Sequence, residues 1–557
     1  MAILTNCIYL DILLIFSSLL ATLYLWMKWK HSYWQRRGIR SLPTHWFFGH
    51  FKDAILMRKP PGVILGELYQ QGNDEDDVLG IYILFKPFLL VRNSELIKQI
   101  MIKDFNVFPN HHFVARSNAD KMSGYNLFGI DNPEWKYLRT KMSPVFTSGK
   151  LKSLFLLMVE SGELMGAHLR SQISNDSKFK SISIKDVFYK YTTNIVASLA
   201  FGIQTNCFDT PDPEFYVKSR EAFNLTFVRA IKFFFLFFLP NIGKHLRNKM
   251  LGDSTEYFRK VFWESMDNRT ITKMKRGDLI DSLLQLKNEQ PDSINFHMMQ
   301  EQEFEKFNRN SNNKYSVWFY FLRGKTNKNE CKCTTCDKII HCAGGSTSGF
   351  EGDVLLAQAA IFFVAGRETS ITTLTYVLCE LAKHPEMQKR VRQEILEKIE
   401  AANGVTNEAV HDMKYLHQVI NETLRLYPPA PILDRVPIRD YTFPGTNISI
   451  EKGTPVYVAL RGLHSDPKYH PDPKRFDPER FSDEKKDEIA PCTFMPFGDG
   501  PRNCIGMRLG VLQTAVGLIT ILRDYEVALN PKWLTTVETR NPFTTPPAGF
   551  LLDLKKI

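Results

Sequence analysis

"FGDGPRNCIG", residues 497–506, sets one cysteine among three glycines, a proline and an arginine. A structural zinc site would want further cysteine or histidine ligands close by, and a disulfide would want a partner. A cysteine that merely fills core needs no glycines around it. Whatever Cys504 does, the backbone around it is built to turn sharply and to let something approach.

A reactive or metal-binding cysteine works as its thiolate, which is favoured by a helix N-terminus, backbone N–H donors and low access to water. The run "MRLGVLQTAVGLITILRDY" (507–525) has helical spacing of apolar residues, which places the sulfur at a helix start where the dipole is positive. Gly500 and Gly506 permit tight turns and the close approach of a flat ligand. Arg502 can meet a carboxylate through charge-assisted hydrogen bonds. One thiolate, a flat neighbour and a carboxylate describe haem held by an axial cysteine.

The bulk properties narrow the setting. At 557 residues and 44% hydrophobic, the chain can bury one very large core or several ordinary ones. The 71 basic against 60 acidic residues give +11, which suits a membrane surface or an acidic partner. No basic run with interleaved aromatics occurs outside the stretch after residue 27, which argues against nucleic acid as a partner. Nine scattered cysteines, an odd number, favour a reducing compartment.

Residues 8–27, "IYLDILLIFSSLLATLYLWM", carry one charge, Asp11. At ~1.5 Å per residue such a helix spans roughly 30 Å, the thickness of a bilayer core. No basic segment precedes it and no clear small-residue cleavage site follows, so it reads as a transmembrane signal anchor. Lys28, Lys30, Arg36, Arg37 and Arg40 follow without an acid, which predicts a lumenal 1–7 and a cytosolic remainder. Residues 28–45 form a basic linker with a single proline, Pro43.

Further along, the chain is mostly helical in pattern. Asp353 to His384 contains no proline, stops before Pro385 and is apolar nearly all round, which predicts a long buried helix. "HDMKYLHQVINETLRLYPPAP" (411–431) predicts a second, ended by Pro428 and Pro429. "NISI" and "TPVYVAL" read as short strands, and 464–503 as an irregular ordered loop. Residues 291–350 fit none of this. They carry Cys331, Cys333, Cys336, His341 and Cys342, but the second candidate ligand pair follows the first too closely for a small zinc module. A surface insertion without function, or intervening sequence from a misassembled gene, is the preferred reading.

Phe497-x-x-Gly500-x-Arg502-x-Cys504-x-Gly506 resembles the haem-binding signature of the cytochrome P-450 (haem-thiolate) monooxygenases. Three further stretches resemble that family's motifs in the family's order: Ala365-Gly366-Arg367-Glu368-Thr369, Glu422-Thr423-Leu424-Arg425 and Pro478-Glu479-Arg480-Phe481. The likeness covers roughly residues 30–557 apart from the insertion, and "WKYLRTKMSPVFTSGK" (135–150) looks most like the microsomal insect detoxification branch.

The resemblance implies a mainly α fold with small β-sheets, the cytochrome P-450 fold: a single large catalytic domain, residues 46–557, behind an N-terminal transmembrane helix. It implies haem b with Cys504 as axial iron ligand, and Arg502, Phe497, Gly506, Trp135 and Arg139 as cofactor-binding residues. Thr369 and Glu368 take the catalytic, proton-handling roles, with Gly366 allowing a local opening of the helix. Glu422, Arg425 and Arg480 form a structural charge cluster. Arg367 departs from the family, where that position is commonly apolar.

The implied activity inserts one oxygen atom from O2 into lipophilic small molecules such as insecticides, plant toxins or endogenous lipids. Electrons come from NADPH through a flavoprotein reductase, with a cytochrome b-type protein as a second donor. The implied location is the endoplasmic reticulum membrane, with the catalytic domain facing the cytosol. The phenylalanine-rich "IKFFFLFFLPNIG" (231–243) becomes a lid against the bilayer, and segments 111–128, 430–435 and 541–550 join the substrate pocket. Two alternatives stand beside this reading: a haem-thiolate isomerase or dehydratase without net oxygenation, and a non-catalytic membrane protein using the cysteine-rich insertion as a binding module.

Overall fold

A computed structural model describes residues 8–113, 120–173, 178–210, 212–246, 249–288, 352–532 and 537–557. The segment 291–350, with its cysteine cluster, lies outside the described residues.

The helices that position the site are α1 (Ile8–His31), α2 (Glu134–Met142), α3 (Ser148–Gln172), α4 (Ile184–Phe201), α5 (Glu214–Phe223), α6 (Phe227–Phe238), α7 (Asp353–Lys383), α8 (Pro385–Ala401), α9 (Lys414–Leu426) and α10 (Met507–Asp524). The strands are β1 (Val78–Ile83), β2 (Lys86–Val91), β3 (Lys180–Ser183), β4 (Ile432–Arg435), β5 (Tyr441–Thr442), β6 (Ser449–Ile450), β7 (Val456–Ala459), β8 (Tyr525–Leu529) and β9 (Leu551–Lys556). Helices dominate, and the sheets are small, as the sequence reading expected.

α7 is the axis of the larger core. It runs 31 residues without a break, ends where Pro385 cannot continue it, and buries most of its surface. It packs on α4 and on α10. Two glycines make these approaches close: a Cβ at Gly366 would stand 3.2 Å from Val196, and one at Gly517 would stand 2.9 Å from Leu374. α9 begins at Lys414, later than the pattern suggested, because Asn407–His411 forms a separate turn of helix capped by Thr406.

The smaller core lies around the four-stranded sheet, ordered β1-β2-β7-β4. β1 and β2 form an antiparallel hairpin, β2 runs parallel to β7, and β4 runs antiparallel to β7. β3, β9 and β8 make a second sheet, and β5 pairs with β6.

α1 is long and apolar enough to cross a membrane, with mean hydropathy 2.0 and only 6% of its apolar window buried. α7 passes the same test but is 67% buried, as a core helix should be. The end of α1 is tied to the sheet. Trp26 packs on Phe85 with ring centroids 5.6 Å apart, and the His31 Nε2 lies 2.8 Å from the Leu84 carbonyl oxygen. Trp34, just beyond, is wholly buried over Gly80.

Candidate active site

The loop before α10 is closed by the Cys504 amide, which donates to the Phe497 carbonyl at 2.8 Å. Gly498 and Gly500 both take positive φ, 71° and 70°. Gly500 is also sterically required, since a Cβ there would fall 2.0 Å from the Met101 carbonyl oxygen. Gly506 differs: a Cβ would meet only the Phe146 ring, at 3.8 Å, so the protein itself does not demand glycine there. Phe497 packs against the main core.

Cys504 is exposed to solvent although protein surrounds it on nearly every side. Its sulfur sits at the floor of a recess. Burial pushes the thiol above its ordinary value, more strongly than the Gly506 N–H and Arg139 pull it down. The helix start does not by itself ionise this cysteine. A metal would have to displace the proton.

Arg502 and Arg139 both stand beside the loop. Arg502 donates to the Ile130 carbonyl at 2.8 Å and the Phe128 carbonyl at 3.2 Å, and its guanidinium carbon lies 4.5 Å from the buried Trp135 ring. Arg139 donates to the Asn503 carbonyl at 2.9 Å and the Asn503 Oδ1 at 3.0 Å. Four residues assigned to the cofactor from sequence, Trp135, Arg139, Arg502 and Cys504, are therefore brought together.

A further residue joins them that the sequence reading placed only in a variable pocket segment. Arg435, at the end of β4, is buried, and its Nη1 donates to the Asp434 carbonyl at 2.7 Å and lies 3.4 Å from the His111 Nδ1. Among the described residues, neither its Nε nor the Nε of Arg502 has an acceptor. Burial lowers Arg435 to about 10. Burial, with repulsion from Arg435 next, lowers Arg502 to about 9. Two guanidiniums that repel one another and keep unused donors suit an anionic group. The donor set fits haem: a recessed sulfur for the iron, a loop glycine whose Cβ position the protein leaves open, and arginines for the propionates.

On α7, Ala365 and Thr369 are exposed while Phe362, Phe363, Arg367 and Ser370 around them are buried. One short strip of this core helix therefore faces open space. The Thr369 hydroxyl donates to the Ala365 carbonyl at 2.6 Å, and the helix runs through Gly366 without a break. The expected opening at Gly366 is absent, because that glycine serves the packing against Val196. Glu368 points away from Thr369: the Tyr189 hydroxyl donates to its Oε2 at 3.4 Å and Arg367 to its Oε1 at 3.2 Å.

Glu422, Arg425 and Arg480 lie together. Glu422 and Arg425 are both fully buried and form a two-pronged pair at 2.7 Å. Arg480 stands 3.5 Å from the Glu422 Oε1, which also accepts from the Asp477 amide at 2.9 Å. Arg425 donates on to the carbonyls of His464 and Pro473 at 2.8 and 2.9 Å. One ion pair thus pins α9 to the irregular chain leading into the cysteine loop.

The apolar segments meet as well. Phe237 of α6 packs on Phe113 at 5.6 Å and on Phe543 at 5.5 Å, while Phe227 and Val228 at the other end of α6 are 60% and 62% exposed.

A family model described as "Cytochrome P450" matches residues 40–308 and 323–554. "Cytochrome P450 6k1" of Blattella germanica is 37% identical over 532 residues, covering 95% of this chain and 93% of that protein. "Probable cytochrome P450 6g2" of Drosophila melanogaster is 33% identical, covering 94% of each chain. "Cytochrome P450 9e2" of Blattella germanica is 32% identical, covering 96% of this chain and 95% of that protein.

Proposed function

Since this chain belongs to the cytochrome P-450 family, the haem-thiolate monooxygenases that use O2 and electrons from NAD(P)H through a reductase, we propose a specific assignment of its residues. Cys504 ligates the haem iron as thiolate, and Arg139, Arg435 and Arg502 hold the propionates. When bound, the haem supplies oxygen activation, with the thiolate's electron push favouring O–O cleavage. The observation that carries this assignment is the solvent-accessible Cys504 with Arg139 acting on its thiol, in the loop whose Arg502 keeps an unused donor among the described residues.

Thr369 lines the face of α7 that reaches open space and holds water or oxygen there through its lone pairs. Glu368 hands protons inward from the α4 side. Glu422, Arg425 and Arg480 keep the cysteine loop seated. Breaking that buried pair on one side only would cost about 3–5 kcal/mol, because the remaining charge is left unpaired.

Residues 8–27 anchor the chain in the endoplasmic reticulum membrane, 1–7 lie in the lumen, and 46–557 face the cytosol, consistent with the basic residues that follow the anchor. An NADPH-dependent flavoprotein reductase docks on the basic surface around Cys504, with a cytochrome b-type protein as second donor. Substrates are lipophilic small molecules that enter beneath α6, whose exposed Phe227 and Val228 touch the bilayer. Residues 291–350 are read as an insertion outside this machinery, although the family matches run into it from both sides and leave out only 309–322.

The test is the carbon monoxide difference spectrum of reduced membranes holding the full chain. A strongly red-shifted Soret band is the expected result. A band typical of imidazole-ligated haem, or none from folded protein, overturns the assignment of Cys504.

A further inference from the structure

Arg367 and Glu368 are consecutive on α7, and consecutive side chains on a helix normally point apart. The Arg367 guanidinium nevertheless turns back to its neighbour, and one nitrogen, Nη2, serves both Glu368 Oε1 at 3.2 Å and the Ser219 carbonyl of α5 at 3.1 Å. The side chain is 0% exposed. Its guanidinium carbon lies 4.0 Å from the Phe223 ring centroid, 4.8 Å from Tyr189 and 5.2 Å from Phe363. Among the described residues, the Nε and Nη1 have no acceptor. Packing alone gives no reason for a cation here, since an apolar side chain would fill an aromatic cage without the cost of desolvating a charge. The carboxylate that neutralises it is that of Glu368. With Tyr189 on the other oxygen, both carboxylate oxygens are held from the side of α7 away from Ala365 and Thr369.

We propose that Arg367 is a positioning residue for the proton-handling acid, holding the Glu368 carboxylate in a fixed orientation toward α4. The proposal rests on the role given to Glu368 above. The charged and titratable groups facing Glu368 are Arg367 on its own helix and Lys185 and Tyr189 from α4. Lys185 in turn feels Glu538 of the C-terminal segment and donates to the Pro546 carbonyl. Without Arg367, the Glu368 Oε1 loses the partner that orients it, and only the Tyr189 hydroxyl still holds the carboxylate.

The test uses the full-length haem-loaded protein with its reductase in lipid nanodiscs, as wild type, R367M, R367K, E368Q and R367M/E368Q. Thermal unfolding comes first, because it needs no substrate. E368Q strands a buried cation, so its midpoint falls by about 5 °C or more, and R367M/E368Q recovers most of that loss. The second readout is the rate of NADPH consumption between about pH 6 and pH 8. R367K keeps the wild-type profile, because a lysine still supplies a donor to the carboxylate, while R367M follows the slower profile of E368Q. Additive midpoints, or an R367M profile identical to wild type, overturn the proposal. If the wild-type protein lacks the red-shifted carbon monoxide band, the haem-thiolate assignment is what fails, and the unfolding cycle still decides whether the two side chains act as a pair.

Discussion

At the scale of single residues, Cys504, proposed above as the iron ligand, has a thiol that its surroundings do not ionise by themselves. Burial raises the thiol, and the Gly506 N–H and Arg139 offset only part of that rise. Iron takes the thiolate, so binding must expel a proton. Below the raised thiol value, each unit of acidification costs about tenfold in affinity, while above it the dependence vanishes. Haem retention should therefore weaken steadily from about pH 8 to about pH 6, in the direction set by a thiol that is protonated when free. Equilibrium partitioning of haem between this protein and apomyoglobin at several pH values, corrected for apomyoglobin's own pH dependence, measures this. Partitioning indifferent to pH across that window would show that the sulfur is already ionised in the free protein, or that it is not the ligand.

At the scale of elements, the cysteine loop separates a glycine that the fold demands from one that it does not, and the proposed haem site gives the second its reason. Gly500 combines positive φ with a Cβ position 2.0 Å from a carbonyl oxygen that cannot move aside. Gly500→Ala should cost about 2 kcal/mol or more of stability and lose haem as a consequence. Gly506 has ordinary φ and only a 3.8 Å neighbour. Gly506→Ala should leave the unfolding midpoint of the apoprotein within about 0.5 kcal/mol of wild type while reducing haem content. Paired thermal melts and haem-to-protein ratios check both. Equal loss of apoprotein stability in the two variants would remove the distinction.

The same elements show what could be read beforehand. α7 was legible because a proline-free apolar run ended at Pro385, and the cysteine loop because its glycines are spaced for turns. Arg435 was not, since its partner His111 lies 324 positions away and nothing local separates a buried arginine from one at a strand's rim. Nor could the sequence say which way Glu368 turns. That depends on Tyr189, 179 positions earlier, and on the Ser219 carbonyl that orients Arg367. Thr369 carries the hydroxyl expected of it, but its bond to Ala365 is a matter of rotamer.

At the scale of the whole molecule, two apolar helices of similar length have opposite fates, and the difference is what each finds to pack against. α7 is enclosed by α4 and α10, whereas α1, apart from the buried Asp11, is largely exposed until its last turns, where Tyr24 meets Trp46 and Trp26 meets the β1–β2 hairpin. The boundary between anchor and domain consequently falls inside α1, near Trp26, where contact with Phe85 begins. Deleting residues 2–25 keeps the Trp26, His31 and Trp34 contacts and should leave the reduced carbon monoxide spectrum unchanged. Deleting residues 2–37 removes Trp34 from its wholly buried seat over Gly80 and should cost about 3–5 kcal/mol, with haem lost on warming. The shorter deletion also tests the second membrane contact. Phe227, Val228 and Trp46 remain, each more than 40% exposed. If they enter the bilayer, the truncated protein stays with membranes in high salt, which screens charges but not apolar contact, and leaves in mild detergent. Complete release by salt alone would mean that α6 does not touch the bilayer, and that substrate reaches the site by another route.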